Sequence, residues 1–305
     1  MKRLKLLFTV ILSSLLFTSC VVQNEIIDDG ISLNQLVSSY DLWYIDVHRT
    51  TGNGDIPFLQ KAFTVSFLNG TMYANNNIVD IGKTGNGLGI ITGNYRGIDN
   101  ILEINHKLDG AYDFRVVQLS ESEIRLDDTR SNLSYYLIGY QRNEFDYDKL
   151  FYDNIEYFLQ EFIAWERIES NGGTANPFDE EHFLQFTPEN NTTFYSSHDP
   201  FGTDIDVIRW DYVGSYIIRN VQGVNDLKYL TLNYDNGDTE EFDLTVINDE
   251  TIQLYHVSSK TTYTFLGKGF IQYLKGKTKQ STLPAVRNNN RKRTKIQRET
   301  ILKRV

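Results

Sequence analysis

Residues 101–140, ILEINHKLDGAYDFRVVQLSESEIRLDDTRSNLSYYLIGY, lie without a gap over residues 229–268, YLTLNYDNGDTEEFDLTVINDETIQLYHVSSKTTYTFLGK. Leu102/Leu230, Asn105/Asn233, Phe114/Phe242, Ile124/Ile252, Leu126/Leu254, Tyr135/Tyr263 and Gly139/Gly267 are identical pairs in that alignment. Apolar character is kept where identity fails, as in Ile104/Leu232, Val116/Leu244, Leu119/Ile247 and Leu137/Phe265. Self-similarity at a fixed period means that one structural unit stands twice in the chain.

The match continues upstream in the same order. Gly93-Asn94-Tyr95 answers Gly214-Ser215-Tyr216, and Trp43 answers Trp165. The offset is smaller there, so the second copy carries about seven extra residues between Tyr216 and Tyr229, which we expect to form loop. Within each copy the residues alternate with period two, as in Phe63-Thr64-Val65-Ser66-Phe67 and Phe242-Asp243-Leu244-Thr245-Val246. That is the pattern of a half-buried strand. Asn69-Gly70, Asp109-Gly110, Asn236-Gly237 and Asn248-Asp249 punctuate the alternation as turns. Eight strands are predicted in the first copy, near 42–50, 63–68, 71–78, 86–95, 100–106, 112–119, 123–127 and 135–141. Eight more are predicted near 164–169, 182–188, 193–197, 206–220, 228–234, 240–247, 251–256 and 262–267. Many short strands with no helix between them indicate an all-β chain, here two tandem antiparallel up-and-down barrels.

Helical spacing occurs just ahead of each tryptophan. Ser32 to Ser39 forms a short turn, and Asp148 to Phe162 places Leu150, Phe151, Ile155, Phe158, Leu159 and Phe162 on one face. Asp146 or Asp148 is the expected N-cap of the second, and each helix is expected to plug the open end of its barrel. A short helix, a strand opening with tryptophan and then a meander resembles the lipocalin-like domains of bacterial lipoproteins, over roughly 32–141 and 150–268. The glycine that this family places two residues before the tryptophan is Asp41 in one copy and Ile163 in the other. The resemblance implies a barrel that holds a small apolar ligand.

The first nineteen residues read as a signal peptide: basic Lys2, Arg3 and Lys5, an apolar run from Leu6 to Phe17, then Thr18-Ser19 before Cys20. A run of twelve residues is too short to span a bilayer. The Thr18-Ser19-Cys20 exit resembles the lipobox of bacterial envelope lipoproteins, which implies cleavage before Cys20 and acylation of its thiol, with palmitate-type chains as the membrane anchor. Several chains are required, because a single acyl chain binds a membrane only marginally. Cys20 is also the only cysteine, so the body folds without a disulfide. The expected organisation is a signal peptide over 1–19, a lipidated tether over 20–31, barrels over 32–145 and 146–274, and a basic tail over 275–305. The cell envelope is the expected location, at the outer membrane, with the periplasmic and surface faces both open.

Eighteen Phe, nineteen Tyr and three Trp admit an aromatic-lined pocket, but aromatic residues also favour strands and fill cores. Trp43, Trp165, Tyr95 and Tyr216 are the candidates for closing the barrels or lining such a pocket. The five histidines show no metal-ligand spacing, although His48, His106 and His256 sit on strands and could converge. Thr84-Gly85-Asn86-Gly87-Leu88-Gly89 lacks the Lys-Ser/Thr and the helix of a phosphate loop. Asp146-Tyr147-Asp148 and Asp235-Asn236-Gly237-Asp238 do not fit a twelve-residue calcium loop. We therefore expect no catalytic constellation, no metal and no cofactor. The expected role is binding of a small apolar ligand or a protein partner; an assembly adaptor stands second and an envelope hydrolase last. Charge is asymmetric: residues 21–274 carry 16 Lys/Arg against 39 Asp/Glu, a balance of −23, whereas 275–305 carry 11 against one, a balance of +10. The acidic body repels polyanions, so nucleic acid is not an expected partner. The tail is left with two roles, docking to an anionic envelope polymer or extending in solvent and folding back on the body.

Overall fold

A computed structural model of the chain describes residues 30–82, 87–187 and 193–271. The expected signal peptide, Cys20, most of the expected tether, part of the glycine loop and the basic tail lie outside those residues. Sixteen strands in the described part form two closed antiparallel barrels of eight. The first holds β1 (Leu42–Thr51), β2 (Thr64–Leu68), β3 (Thr71–Asn75), β4 (Ile90–Ile98), β5 (Ile101–His106), β6 (Gly110–Ser120), β7 (Glu123–Asp128) and β8 (Ser134–Tyr140). The second holds β9 (Phe162–Asn171), β10 (Phe183–Phe186), β11 (Thr193–Ser197), β12 (Tyr212–Val221), β13 (Val224–Tyr234), β14 (Thr239–Asn248), β15 (Thr251–His256) and β16 (Thr261–Phe270). Each strand pairs with its neighbours in sequence, and β8 and β16 return to β1 and β9. Closure leaves no sheet edge unpaired.

The pairing register repeats between the copies. Trp43 faces Val65 and Gly139, while Trp165 faces Leu184 and Gly267. Leu102 faces Phe114 as Leu230 faces Phe242, and Leu126 faces Tyr135 as Leu254 faces Tyr263. The gapless alignment read from the sequence is therefore a shared strand register. The extra residues after Tyr216 are not loop: they lengthen β12 and β13 into one hairpin turned at Gln222-Gly223. Two predicted strands also begin late. β4 starts at Ile90 and β12 at Tyr212, because the residues before them belong to the β3–β4 and β11–β12 connections.

Helices close one end of each barrel. α1 (Leu33–Ser38) is opened by Ser32, whose hydroxyl accepts from Gln35 N in a capping box. α2 (Pro57–Lys61) and α3 (Val79–Gly82) are short helices of the first copy that alternation alone does not reveal. The predicted helix over 148–162 is two, α4 (Tyr147–Asp153) and α5 (Ile155–Leu159), broken at Asn154, where φ is −124°. Asp146 caps α4 by accepting from Lys149 N.

Each tryptophan is tied to its helix in the same way. Trp43 Nε1 donates to Val37 O at 2.8 Å, and Trp165 Nε1 donates to Leu159 O at 2.8 Å, each reaching six residues back. Both indoles are fully buried. The ring three residues earlier meets the indole edge-on, Tyr40 at 5.1 Å and Phe162 at 4.7 Å. That ring lies over the glycine opposite the tryptophan. A Cβ on Gly139 would stand 2.5 Å from the Tyr40 ring, and one on Gly267 would stand 2.5 Å from the Phe162 ring. Glycine is needed at both places to let an aromatic face touch the strand.

The barrels meet through α3, α4 and α5. Leu42, Tyr44, Phe63, Ile78, Val79 and Ile81 of the first copy belong to the same apolar cluster as the second barrel's core. Phe63 and Tyr157 pack edge-on at 5.0 Å, and His48 Nε2 donates to Asp153 O at 2.6 Å. At the centre of the joint is Glu161, wholly buried. Its carboxylate accepts from Ile78 N at 2.7 Å and Val79 N at 3.1 Å. Asn77 Nδ2 donates to Ile271 O at 3.0 Å beside it. Among the described residues no helix is long and apolar enough to cross a membrane.

Removing the Glu161 side chain strands two buried N–H groups, each worth roughly 1–3 kcal/mol when orphaned. Glu161→Ala is therefore expected to lower unfolding free energy by about 2–4 kcal/mol, and Glu161→Gln, which keeps one acceptor, by about half as much. Urea denaturation of the two variants beside the wild type measures this. Equal losses in both would mean that the carboxylate does not hold the joint.

Candidate functional site

The four aromatic residues singled out from sequence are buried in the barrels. Trp43 and Trp165 close the ends as described. Tyr95 stacks edge-on with Phe67 at 5.0 Å, and Tyr216 does the same with Phe186 at 5.0 Å. The Tyr216 hydroxyl also accepts from Gln160 Nε2 at 2.6 Å, behind α5. Cys20 lies outside the described residues. The histidines do not converge: His48 serves the joint, His106 stacks on Phe58 at 4.8 Å, and His256 lies in the second barrel. Among the described residues no group of three or more His, Cys, Asp or Glu is arranged to hold a metal. The 235–238 segment is a turn, with Asn236 Oδ1 accepting from Asp238 N.

The end of each barrel away from the tryptophan is filled by a phenylalanine on a Pro-Phe step. In the first copy Phe58, on α2, packs against Tyr112, Phe114 and His106. In the second Phe178 sits on a 3-10 turn, Pro177–Glu180, opened by a capping box between Asn176 and Asp179. Its ring packs 4.7 Å from Phe242 and 5.0 Å from Tyr263, and it is fully buried. Pro57-Phe58 and Pro177-Phe178 are thus a further repeat pair.

Around Phe178 the copies diverge in chemistry. Two residues beyond the tryptophan, Ile45 of the first barrel becomes Arg167. In the matched registers, Ala62 becomes Glu181, Tyr112 becomes Glu240 and Asp128 becomes His256. All four replacements are polar, and three of them are buried. Arg167 donates to Phe178 O at 3.3 Å and Asp179 O at 2.7 Å, with the Phe201 and Tyr263 rings against its guanidinium. Its burial pulls the guanidinium pKa down, against the attraction of Tyr263 and nearby acids. Tyr263 donates to Asp179 Oδ1 at 2.6 Å. Burial and that carboxylate push the phenol up to about 12.

Glu181 follows the turn and is almost wholly buried. Tyr234 Oη stands 2.8 Å from both of its carboxyl oxygens. Burial, with Glu240 facing it, pushes Glu181 up to about 7, although the Ser196 and Tyr234 hydroxyls and Arg167 oppose the rise. Tyr234 is raised far beyond the ordinary phenol range by burial and then by Glu181. Glu240 Oε2 lies 2.6 Å from His256 Nε2, and His256 Nδ1 lies 2.7 Å from Ser259 Oγ. This Ser–His–acid string has the order of a hydrolytic triad. Its serine is committed elsewhere, because Ser259 is buried and donates to Thr261 Oγ1 at 2.8 Å. Ser131 holds Asp128 at 2.7 Å in the matching turn of the first copy, so the string locks a hairpin. What the cluster can do is exchange one proton near neutrality at the foot of the Phe178 plug.

Sequence reasoning named His256 only as a strand histidine and passed over Arg167, Glu181, Tyr234 and Glu240. The signal was present in the alignment, where Tyr112/Glu240 and His106/Tyr234 change character two residues from pairs that stay apolar, Phe114/Phe242 and Ile104/Leu232.

Fold and site together define a protein of two duplicated, closed, up-and-down β-barrels, the second carrying a buried polar cluster. No protein-family model matches the chain, and no curated protein matches it.

Glu181 holds its proton more tightly when folded than its ordinary value of 4.5 allows. The stability tied to it is complete below about 4.5 and is lost as pH rises through about 7. Unfolding free energy is expected to fall by roughly 1–3 kcal/mol between pH 5 and 8, and Glu181→Gln is expected to flatten that slope. A variant that kept the wild-type slope would assign the titration to another group.

Proposed function

We propose that this chain is an envelope lipoprotein, held at a membrane by acyl chains on Cys20, whose tandem lipocalin-like barrels form a non-catalytic binding module for a protein partner. One observation carries the choice of partner. The inward side chains of both barrels, among them Trp43, Phe67, Phe114 and Tyr135 in one and Trp165, Phe178, Phe186 and Phe242 in the other, are all buried against one another. An eight-stranded barrel is just wide enough for side chains to fill it, and here rings close both ends. That favours recognition on outer faces and loops over enclosure of a small apolar ligand. The leader pattern and the lone cysteine support the anchor.

The anchor is tested by Cys20→Ser, which is expected to move the protein from the membrane pellet to the soluble fraction and abolish palmitate incorporation. Unchanged fractionation would refute acylation at this residue. The partner is tested by cross-linking in native membranes together with native mass spectrometry of the purified body. We expect a reproducible protein adduct and a body mass free of lipid. A lipid retained at fixed stoichiometry with no adduct would reverse the choice in favour of a small ligand.

A further inference from the structure

The connection between β11 and β12, residues 198–211, sets large apolar side chains on the surface of the second barrel. It does not hang free: Gly202 N donates to Glu166 Oε1 at 2.6 Å, Phe201 packs 4.1 Å from His182, and Ile205 lies against Gly269 and Ile163. It thus crosses the outer face of β10, β9 and β16. Its own outer side mixes apolar and acidic side chains. Phe201 is 56% exposed and Val207 64%, and Val213 adds an outward apolar side chain on β12. Trp210, in the same connection, packs 6.1 Å from Tyr195. Acidic side chains accompany these apolar ones: Asp199, Asp204, Asp206 and Asp211 outnumber Arg209 within the connection.

The position of the chain's continuation points to what covers it. The described chain ends at Ile271, two residues past the Gly269 on which Ile205 rests. Thirty-four residues follow, 272–305, with 11 Lys/Arg against Glu299 alone. Their first half places Lys275, Lys277 and Lys279 before Leu283-Pro284-Ala285-Val286 and Arg287. At up to roughly 3.3 Å per extended residue, this stretch crosses the patch from where it starts. We propose that residues 274–287 dock on the 198–211 face, setting Leu283–Val286 on Val207 and Trp210 and the basic residues against the aspartates. The surface is thereby covered by the chain itself until a competing partner displaces the segment. This does not depend on the acyl anchor or on the identity of any partner.

Trp210 makes the proposal measurable, because Trp43 and Trp165 are fully buried and Trp210 alone of the three is partly exposed. Acrylamide quenching of tryptophan fluorescence in the full chain, held in detergent, therefore reports on this face. Quenching is expected to be about twofold weaker in the full chain than in a chain ending at Ile271, and the difference is expected to vanish near 1 M salt, where charges are screened within about 3 Å. Asp206→Lys combined with Val207→Ser, both on the exposed side, should raise quenching in the full chain and leave the shortened chain unchanged. Carbodiimide coupling should join Lys275, Lys277 or Lys279 to Asp204 or Asp206. Equal quenching of the full and shortened chains at all salt concentrations would overturn the proposal, as would coupling of these lysines only to other faces.

Discussion

The hydrogen bond from a buried indole to the carbonyl six residues behind it organises each half of this protein. It joins the helix that enters a barrel to the strand that begins it, so the plug and the first strand cannot shift independently. The aromatic residue between them lies over a glycine on the closing strand, which brings the last strand to the same point. Three chain segments distant in sequence are thus pinned at one end of the barrel. With no disulfide available, that convergence of burial and one satisfied N–H takes the place of a covalent staple.

Duplication kept this end and altered the other. The tryptophan, glycine and ring positions are equivalent in both copies, and the register of five strand pairs is the same. At the opposite end the first barrel retains Ile45, Ala62 and Tyr112 around Phe58, whereas the second introduces Arg167, Glu181 and Glu240 around Phe178. Buried charges are costly unless they are paired or protonated. Arg167 meets the cost with two backbone carbonyls, and Glu181 by holding its proton more tightly.

The fold was legible in the sequence because strand alternation has a period of two and the repeat supplied the register a second time. Boundaries failed where local pattern and tertiary role part company. Asn154 breaks a helix whose apolar spacing runs on without interruption, and the residues after Tyr216 read as loop although they extend a hairpin. The short plugging turns were invisible, since four or five residues carry no periodicity; only the recurrence of Pro-Phe betrays them. The polar cluster was missed for a different reason. Its members come from β9, β13, β14, β15 and the turn before β10, and no spacing along one segment can announce groups gathered by closing a barrel.

The joint built on Glu161 has a mechanical meaning. Because Ile78, Val79 and Ile81 are packed into the neighbouring core, the chain between the barrels is not a hinge. A stiff frame of this kind holds the two barrels at constant spacing and angle. A bivalent binder that touches both loses its orientational freedom once, with no flexible spacer to dilute the second contact, so any selection for avidity acts on the geometry of the joint itself.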